Sequence, residues 1–186
     1  MRRFGRVRPN VVVTQISPNQ SERSVATPTI IVLHSTESHD VPGSVSDLRG
    51  LGDWFAQTAA QASSHVGVDD DGNSARFVRD AKKAWTCVSF NSVSLNIEQI
   101  GFASFGWTKW RKRWRQIRES ARWIALWSEG YDIPIRRGAV SGSTVTRSGV
   151  LTHADLGEAG GGHHDPGPYP MKRVLFLARL YKRALR

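Results

Sequence analysis

Three side chains able to bind a metal stand where a polypeptide can hold them still. His34 closes the apolar, partly β-branched run Thr29-Ile-Ile-Val-Leu33, which reads as a buried strand. His153 closes a second short apolar run, Val150-Leu-Thr152. Asp165 follows Gly160-Gly-Gly162 and His163-His164 and immediately precedes Pro166. The proline biases Asp165 towards extended backbone, and the glycines let the loop turn back towards His153. Two histidines and a carboxylate with a fourth position left open are the ligand set of a catalytic zinc ion. A closed structural zinc site would more often use cysteines, and Cys87 is the only one in the chain. One strand-end histidine alone is more often a satisfied core residue than a ligand; it is the convergence of three pieces that points to a metal.

A fourth residue belongs with these. Asn91-Ser-Val-Ser-Leu-Asn-Ile-Glu-Gln-Ile-Gly101 alternates as a strand, with Val93, Leu95 and Ile97 on one side and Ser94, Asn96, Glu98 and Ile100 on the other. A carboxylate inside a strand is costly unless it is paired or functional. Turned towards the metal, Glu98 can orient or deprotonate a water molecule there. His65, in the alternating stretch Ser63-Ser-His-Val-Gly-Val68, is read as a hydrogen-bonded structural or groove-lining residue, and His39 as exposed and not a ligand. Asp69 to Asn73 lacks the sixth-position glycine and twelfth-position glutamate of a calcium loop.

The elements that must position these residues follow from pattern. Val11-Val-Val-Thr14 suggests a short edge strand within an N-terminal extension, residues 1–26, that precedes a catalytic domain over 27–186. Ser46 is the expected N-cap of a helix over 47–60 with Leu48, Leu51, Phe55 and Thr58 on one face and Trp54 at its border. Asp70-Asp-Gly72 is a hairpin turn between strands over 63–68 and 75–78, and 84–88 another short strand. A helix over 107–129 carries Trp107, Trp110, Trp114, Ile117, Ala121 and Ile124 inward, six basic residues on its wet side, and Gly130 as its stop. Residues 131–142 read as a turn-rich connection, 148–153 as the second ligand strand, and 171–184 as a final helix with Val174, Leu175, Leu177, Ala178 and Tyr181 inward. The 186 residues fit one domain of α/β class, a mixed central β-sheet flanked by helices.

Taken in order, these pieces resemble the zinc-dependent N-acetylmuramoyl-L-alanine amidases of the type-2 amidase and peptidoglycan recognition protein family, of the sort found in phage endolysins. The matching pieces are Ile31-Val-Leu-His-Ser-Thr36, Ser63-Ser-His65 before an Asp-Gly hairpin, Ser94-Leu-Asn-Ile-Glu98, Leu151-Thr-His153 and His163-His-Asp-Pro-Gly-Pro168, spread over residues 28–180. The resemblance implies a Zn2+ ion on His34, His153 and Asp165 and a catalytic glutamate at Glu98. It places His163 where many members carry a lysine two residues before the ligand Asp, as donor to the developing oxyanion. It implies a groove bordered by Ser35, Thr36, His65 and Trp85, although Ser64 and Thr86 replace the tyrosine and histidine found at those points in other members. The implied reaction is hydrolysis of the amide joining N-acetylmuramic acid to L-alanine of the stem peptide. A non-catalytic peptidoglycan-binding module of the same fold is the alternative.

Composition adds a partner. The formal net charge is +10, and 16 of the 26 Lys and Arg fall in three acid-free segments, 1–9, 107–118 and 171–186. Such clustering suggests a polyanionic partner, whether nucleic acid, an anionic envelope or lipid headgroups, and with the resemblance the expectation is anionic cell-wall polymers. No DNA-reading motif is present, so no specific nucleic acid is expected. No apolar run approaches the ~20 residues that span a bilayer, and Met1–Arg8 lacks the apolar core of a signal peptide. The expectation is a monomer made in the host cytoplasm that acts on the wall after release.

Overall fold

The computed structural model describes residues 7–186. Ten strands and four α-helices build it: β1 (Val11–Thr14), β2 (Gln20–Glu22), β3 (Ile30–Ser35), α1 (Ser46–Ala56), β4 (Val66–Val68), β5 (Ser74–Arg76), β6 (Lys82–Ala84), β7 (Ser94–Gln99), α2 (Trp107–Lys112), α3 (Trp114–Tyr131), β8 (Ala139–Ser141), β9 (Thr144–Arg147), β10 (Gly149–Thr152) and α4 (Met171–Leu185). Six strands form one sheet in the order β1-β5-β4-β7-β3-β10. All neighbours are parallel except β4 and β5, the hairpin around Asp70-Asp-Gly72. This is the mixed α/β sheet expected from the sequence.

β3 lies between β7 and β10 and is buried along its whole length, which is why it reads as a continuous apolar run. Its side chains divide between two layers. Ile31 and Leu33, with Leu95 and Ile97 of β7, pack under Ile117, Ile124, Val174 and Ala178 of α3 and α4. Ile30 and Val32 face the other way, towards Cys87, Phe90, Leu151 and Leu156. His34 continues that second face.

The N-terminal segment is built into the fold, with β1 in the six-stranded sheet and β2 in a separate two-stranded one. β1 forms the edge of the larger sheet against β5, β2 pairs with β6, and the Asn10 N–H donates to the buried Glu119 carboxylate at 2.5 Å. The basic stretch over residues 1–9 lies mostly outside the described residues.

Five local expectations need correction. The helix expected over 107–129 is two helices, because Arg113 leaves helical geometry (φ −81°, ψ 52°). Its guanidinium turns inward, to the Gln116 side chain at 2.7 Å and the Ile100 carbonyl at 3.0 Å, and bridges Asp40 and Asp70 at 3.1 and 3.3 Å. Arg113 is therefore buried and not on the wet side. Trp107 and Trp114, expected in the core stripe, are 50% and 43% exposed; the break rotates them outward, where Arg111 stacks over Trp107 and Arg115 and Arg118 over Trp114. Helix α3 runs past Gly130 to stop at Asp132, which takes the left-handed conformation (φ 53°). Helix α1 begins at Ser46 without any side-chain cap; instead the Ser46 N–H is bonded by Ser44 Oγ at 3.1 Å.

Candidate metal centre and substrate groove

The site lies at the carboxyl ends of three adjacent parallel strands, where crevices of α/β sheets collect ligands. β3 stands in the middle and supplies His34; β7 beside it supplies Glu98, directly opposite His34 in register. β10 on the other side ends at Thr152, and His153 opens the short 3-10 turn that follows. That turn is fixed by a capping box between Thr152 and Asp155. Asp165 arrives from the glycine-rich loop, whose return is tied by the Ala154 N–H donating to the Asp165 carbonyl at 3.1 Å. The Asp165–Pro166 peptide is cis.

His34, His153 and Asp165 are all buried, and one ligand atom from each lies within 4.8 Å of the others. Hydrogen bonds decide which atoms face inward. His153 Nε2 meets the Gly160 carbonyl at 2.9 Å, and His34 Nε2 meets Asn96 Oδ1 at 3.0 Å. Both partners accept, so both Nε2 atoms carry the proton. Each ring then turns its Nδ1 lone pair to Asp165: His153 at 3.0 Å from Oδ1 and His34 at 3.7 Å from Oδ2. Four acceptor atoms converge with no donor among them, which is the arrangement a cation completes. Burial first, and then the neighbouring His153, push the His34 pKa down to about 3, so its ring is neutral as a metal ligand must be. The Ser35 N–H donates to Asp165 Oδ2 at 2.9 Å, which favours the ionised carboxylate. The donor set, two neutral imidazoles and an ionised carboxylate, fits zinc with an open position.

Close packing supports these bonds. A Cβ on Gly160 would come within 2.4 Å of the Leu156 Cβ, so only glycine brings that carbonyl onto His153. Asn96 is wholly buried, and its Nδ2 donates to Ser94 Oγ at 3.0 Å, which keeps its Oδ1 turned to His34. Asn96 was missed as a functional residue, although the sequence carries a signal: it lies two residues before Glu98, on the same face of the strand.

Glu98 lines the groove beside His34, His153 and Asp165. Burial, then the charges of Asp165 and Glu37, hold its carboxyl well above the usual range. His163 is exposed, and its ring stacks on His153 with centroids 4.5 Å apart and planes 15° from parallel. Ser35, Thr36 and Trp85 also line the groove, which measures ≈ 560 Å³, with Trp54 and Phe55 of α1 along one wall. Ser35 does more than border it, because its backbone N–H holds Asp165.

His65 does not line the groove, contrary to the expectation. It is fully buried, with Nδ1 accepting from the Asn96 N–H at 3.1 Å and Nε2 donating to the Lys82 carbonyl at 3.1 Å. Its ring faces Trp127 of α3, 6.1 Å away. β4 begins only at Val66, which pairs with Ile97 of β7, so His65 lies level with Asn96 and short of the carboxyl end. Burial drives the His65 pKa well below the ordinary value, and it acts as a neutral structural brace.

A family model described as N-acetylmuramoyl-L-alanine amidase matches residues 24–168. The chain belongs to that family. This amidase acts on peptidoglycan, and its fold recurs in solved structures of low sequence identity. The Staphylococcus aureus hydrolase AmiA superposes with a TM-score of 0.68 at 16% identity, over 94% of this chain and 84% of that one. Drosophila PGRP-LB gives 0.64 at 14%, over 89% and 92%. The Ph2119 endolysin of Thermus scotoductus MAT2119 bacteriophage gives 0.57 at 15%, over 91% and 99%. No curated protein sequence matches the amidase.

One prediction arises from the stacked ring. His163→Ala should lower turnover by about 10²–10³-fold, the usual effect of losing an oxyanion donor, with metal content retained. If excess zinc restores full activity instead, His163 supports the metal and not the oxyanion. Steady-state kinetics at two zinc concentrations distinguish the two.

Proposed function

We propose that this amidase is a zinc hydrolase that cleaves the bond between the lactyl group of N-acetylmuramic acid and L-alanine of the stem peptide, and that it serves as a phage or prophage endolysin. The observation that carries the zinc reading is the convergence of two Nδ1 lone pairs and the Asp165 carboxylate beside Glu98 in one groove. His34, His153 and Asp165 would hold the ion. Zinc, when bound, polarises a carbonyl and lowers the pKa of water from 15.7 to about 7.

The remaining steps belong to the chain. Glu98 accepts a proton from the attacking water as the new C–O bond forms, and passes it to the amine as the C–N bond breaks. The walls that raise its pKa also make it a stronger base than an exposed glutamate. His163, held parallel to His153, donates to the carbonyl oxygen as that oxygen becomes negative. The groove wall formed by Trp54, Phe55 and Trp85 offers an apolar surface for the substrate.

The endolysin reading draws on the likeness to a named phage endolysin and on the exposed basic residues. No helix among the described residues is long and apolar enough to cross a membrane. Lys109, Arg111, Lys112 and Arg115 of α2 and α3, with Lys172, Arg173, Arg179 and Arg183 of α4, are exposed on helices that cover the sheet face opposite the metal ligands. We place the protein as a monomer made in the host cytoplasm, released to the wall, and adsorbed there by these charges to anionic polymers. Adsorption should weaken as salt rises, since exposed charges are screened beyond ~10 Å at 0.1 M, while cleavage of a small soluble muropeptide should not fall. Pull-down on purified walls beside muropeptide kinetics tests this; equal salt sensitivity of both removes the idea.

Dye release from labelled cell walls tests the zinc reading. Chelator should abolish release and added zinc should restore it; release that persists in chelator overturns the proposal.

A further inference from the structure

The charge of the groove runs against the charge of the protein. The chain carries a formal net charge of +10, yet no Lys or Arg lines the groove among the described residues. Its charged side chains are the carboxylates Glu37, Asp47, Glu98 and Asp165, and its other titratable groups are imidazoles. Arg113 lies buried between Asp40 and Asp70, and Arg115 reaches Asp71 at 3.6 Å. With zinc bound, the ion's two positive charges cancel Asp165 and Glu98. Glu37 and Asp47 are left, and a cleft with low-dielectric walls focuses their field.

Glu37 is also built into place. Its backbone takes the left-handed conformation at φ 53°, which non-glycine residues adopt at a cost and chiefly at functional sites. Oε1 accepts from Ser35 Oγ at 2.6 Å and from the Ala103 N–H at 2.7 Å. The side chain is thereby fixed at the mouth of the groove, exposed to solvent and close enough for its charge to act on Glu98. Thr36 beside it is tied to β7 through its N–H and the Gln99 carbonyl at 3.0 Å.

We infer that this groove selects stem peptides whose carboxyl groups are amidated, or which present an ammonium group, over peptides with free carboxylates, and that Glu37 sets the preference. The inference rests on the amidase reading. A carboxamide or ammonium donates to a fixed carboxylate, whereas a free carboxylate meets like charge and finds no Lys or Arg to receive it. Discrimination of this kind comes from repulsion as much as attraction.

The test uses two soluble muropeptides that differ only in amidation of the peptide carboxyls, with kcat/KM measured for each on the zinc-loaded protein at low and high salt. The native protein should favour the amidated peptide by roughly tenfold, as expected for one or two like charges a few ångströms apart in a partly wet cleft. The preference should shrink as salt rises. Glu37→Gln keeps the acceptor for Ser35 and Ala103 but removes the charge, and should bring the ratio near one. Glu37→Lys should reverse it, and Asp47→Asn gives an independent variant should the loop not tolerate change. Equal kcat/KM for the two peptides on the native protein, or a ratio that none of the three substitutions moves, overturns the inference while leaving the amidase reading intact. Failure to cleave either peptide overturns both.

Discussion

Glu98→Gln should lower the rate of peptidoglycan hydrolysis by about 10²–10⁴-fold, the usual contribution of a general acid–base residue, while zinc content stays at one per chain. The residue lies opposite His34 in the β3–β7 register, so the amide can occupy the same volume without disturbing the ligands. A second readout follows from its raised pKa. Burial disfavours the ionised form, so in metal-free protein Glu98 contributes stability only while it is protonated. That contribution is present below the unfolded value near 4.5 and is lost as pH rises towards the folded value. Glutamine has no such loss. The melting temperature of metal-free Glu98→Gln should therefore gain on that of the native protein as pH rises above about 4.5. Native-rate hydrolysis by the variant would falsify the catalytic role.

His34→Ala should remove zinc and activity together, with a loss at least as large as the ~10²–10⁴-fold expected for Glu98. The ring is 1% exposed and sits 4.4 Å from that of His153, so the variant loses packing as well as a ligand. Elemental analysis of folded protein separates these effects. Zinc near zero in a chain with native circular dichroism supports the ligand role, and full zinc with full activity removes it.

The convergence of His34, His153 and Asp165 was legible because each carries its own local geometry. The apolar runs of β3 and β10 are each followed closely by a histidine, and Asp165 is set between glycines and a proline. Glu98 was legible because alternation places it on a polar face of an otherwise buried strand. Residues that act through tertiary bonds were harder to see. Gly160 matters through its carbonyl, which no side-chain pattern reports. Glu37 matters because Ser35 and Ala103 fix it, and Ala103 is far away in sequence. His65 was expected as a structural or groove-lining residue, and the resemblance favoured the groove, but its strand starts one residue later and its ring is bonded by Asn96 and Lys82. The break at Arg113 has no proline or glycine to announce it; buried acids draw the side chain inward. The β8–β9 hairpin escaped because its residues are largely exposed and lack an apolar alternation.

Mass spectrometry of the products from a purified soluble muropeptide tests the central claim most directly, with zinc-loaded protein and with protein stripped by chelator. Loaded protein should yield a free peptide beginning at L-alanine together with intact N-acetylmuramic acid saccharide, and stripped protein should yield neither until zinc returns. Binding without cleavage, cleavage within the glycan or the peptide, or undiminished cleavage by stripped protein would contradict it.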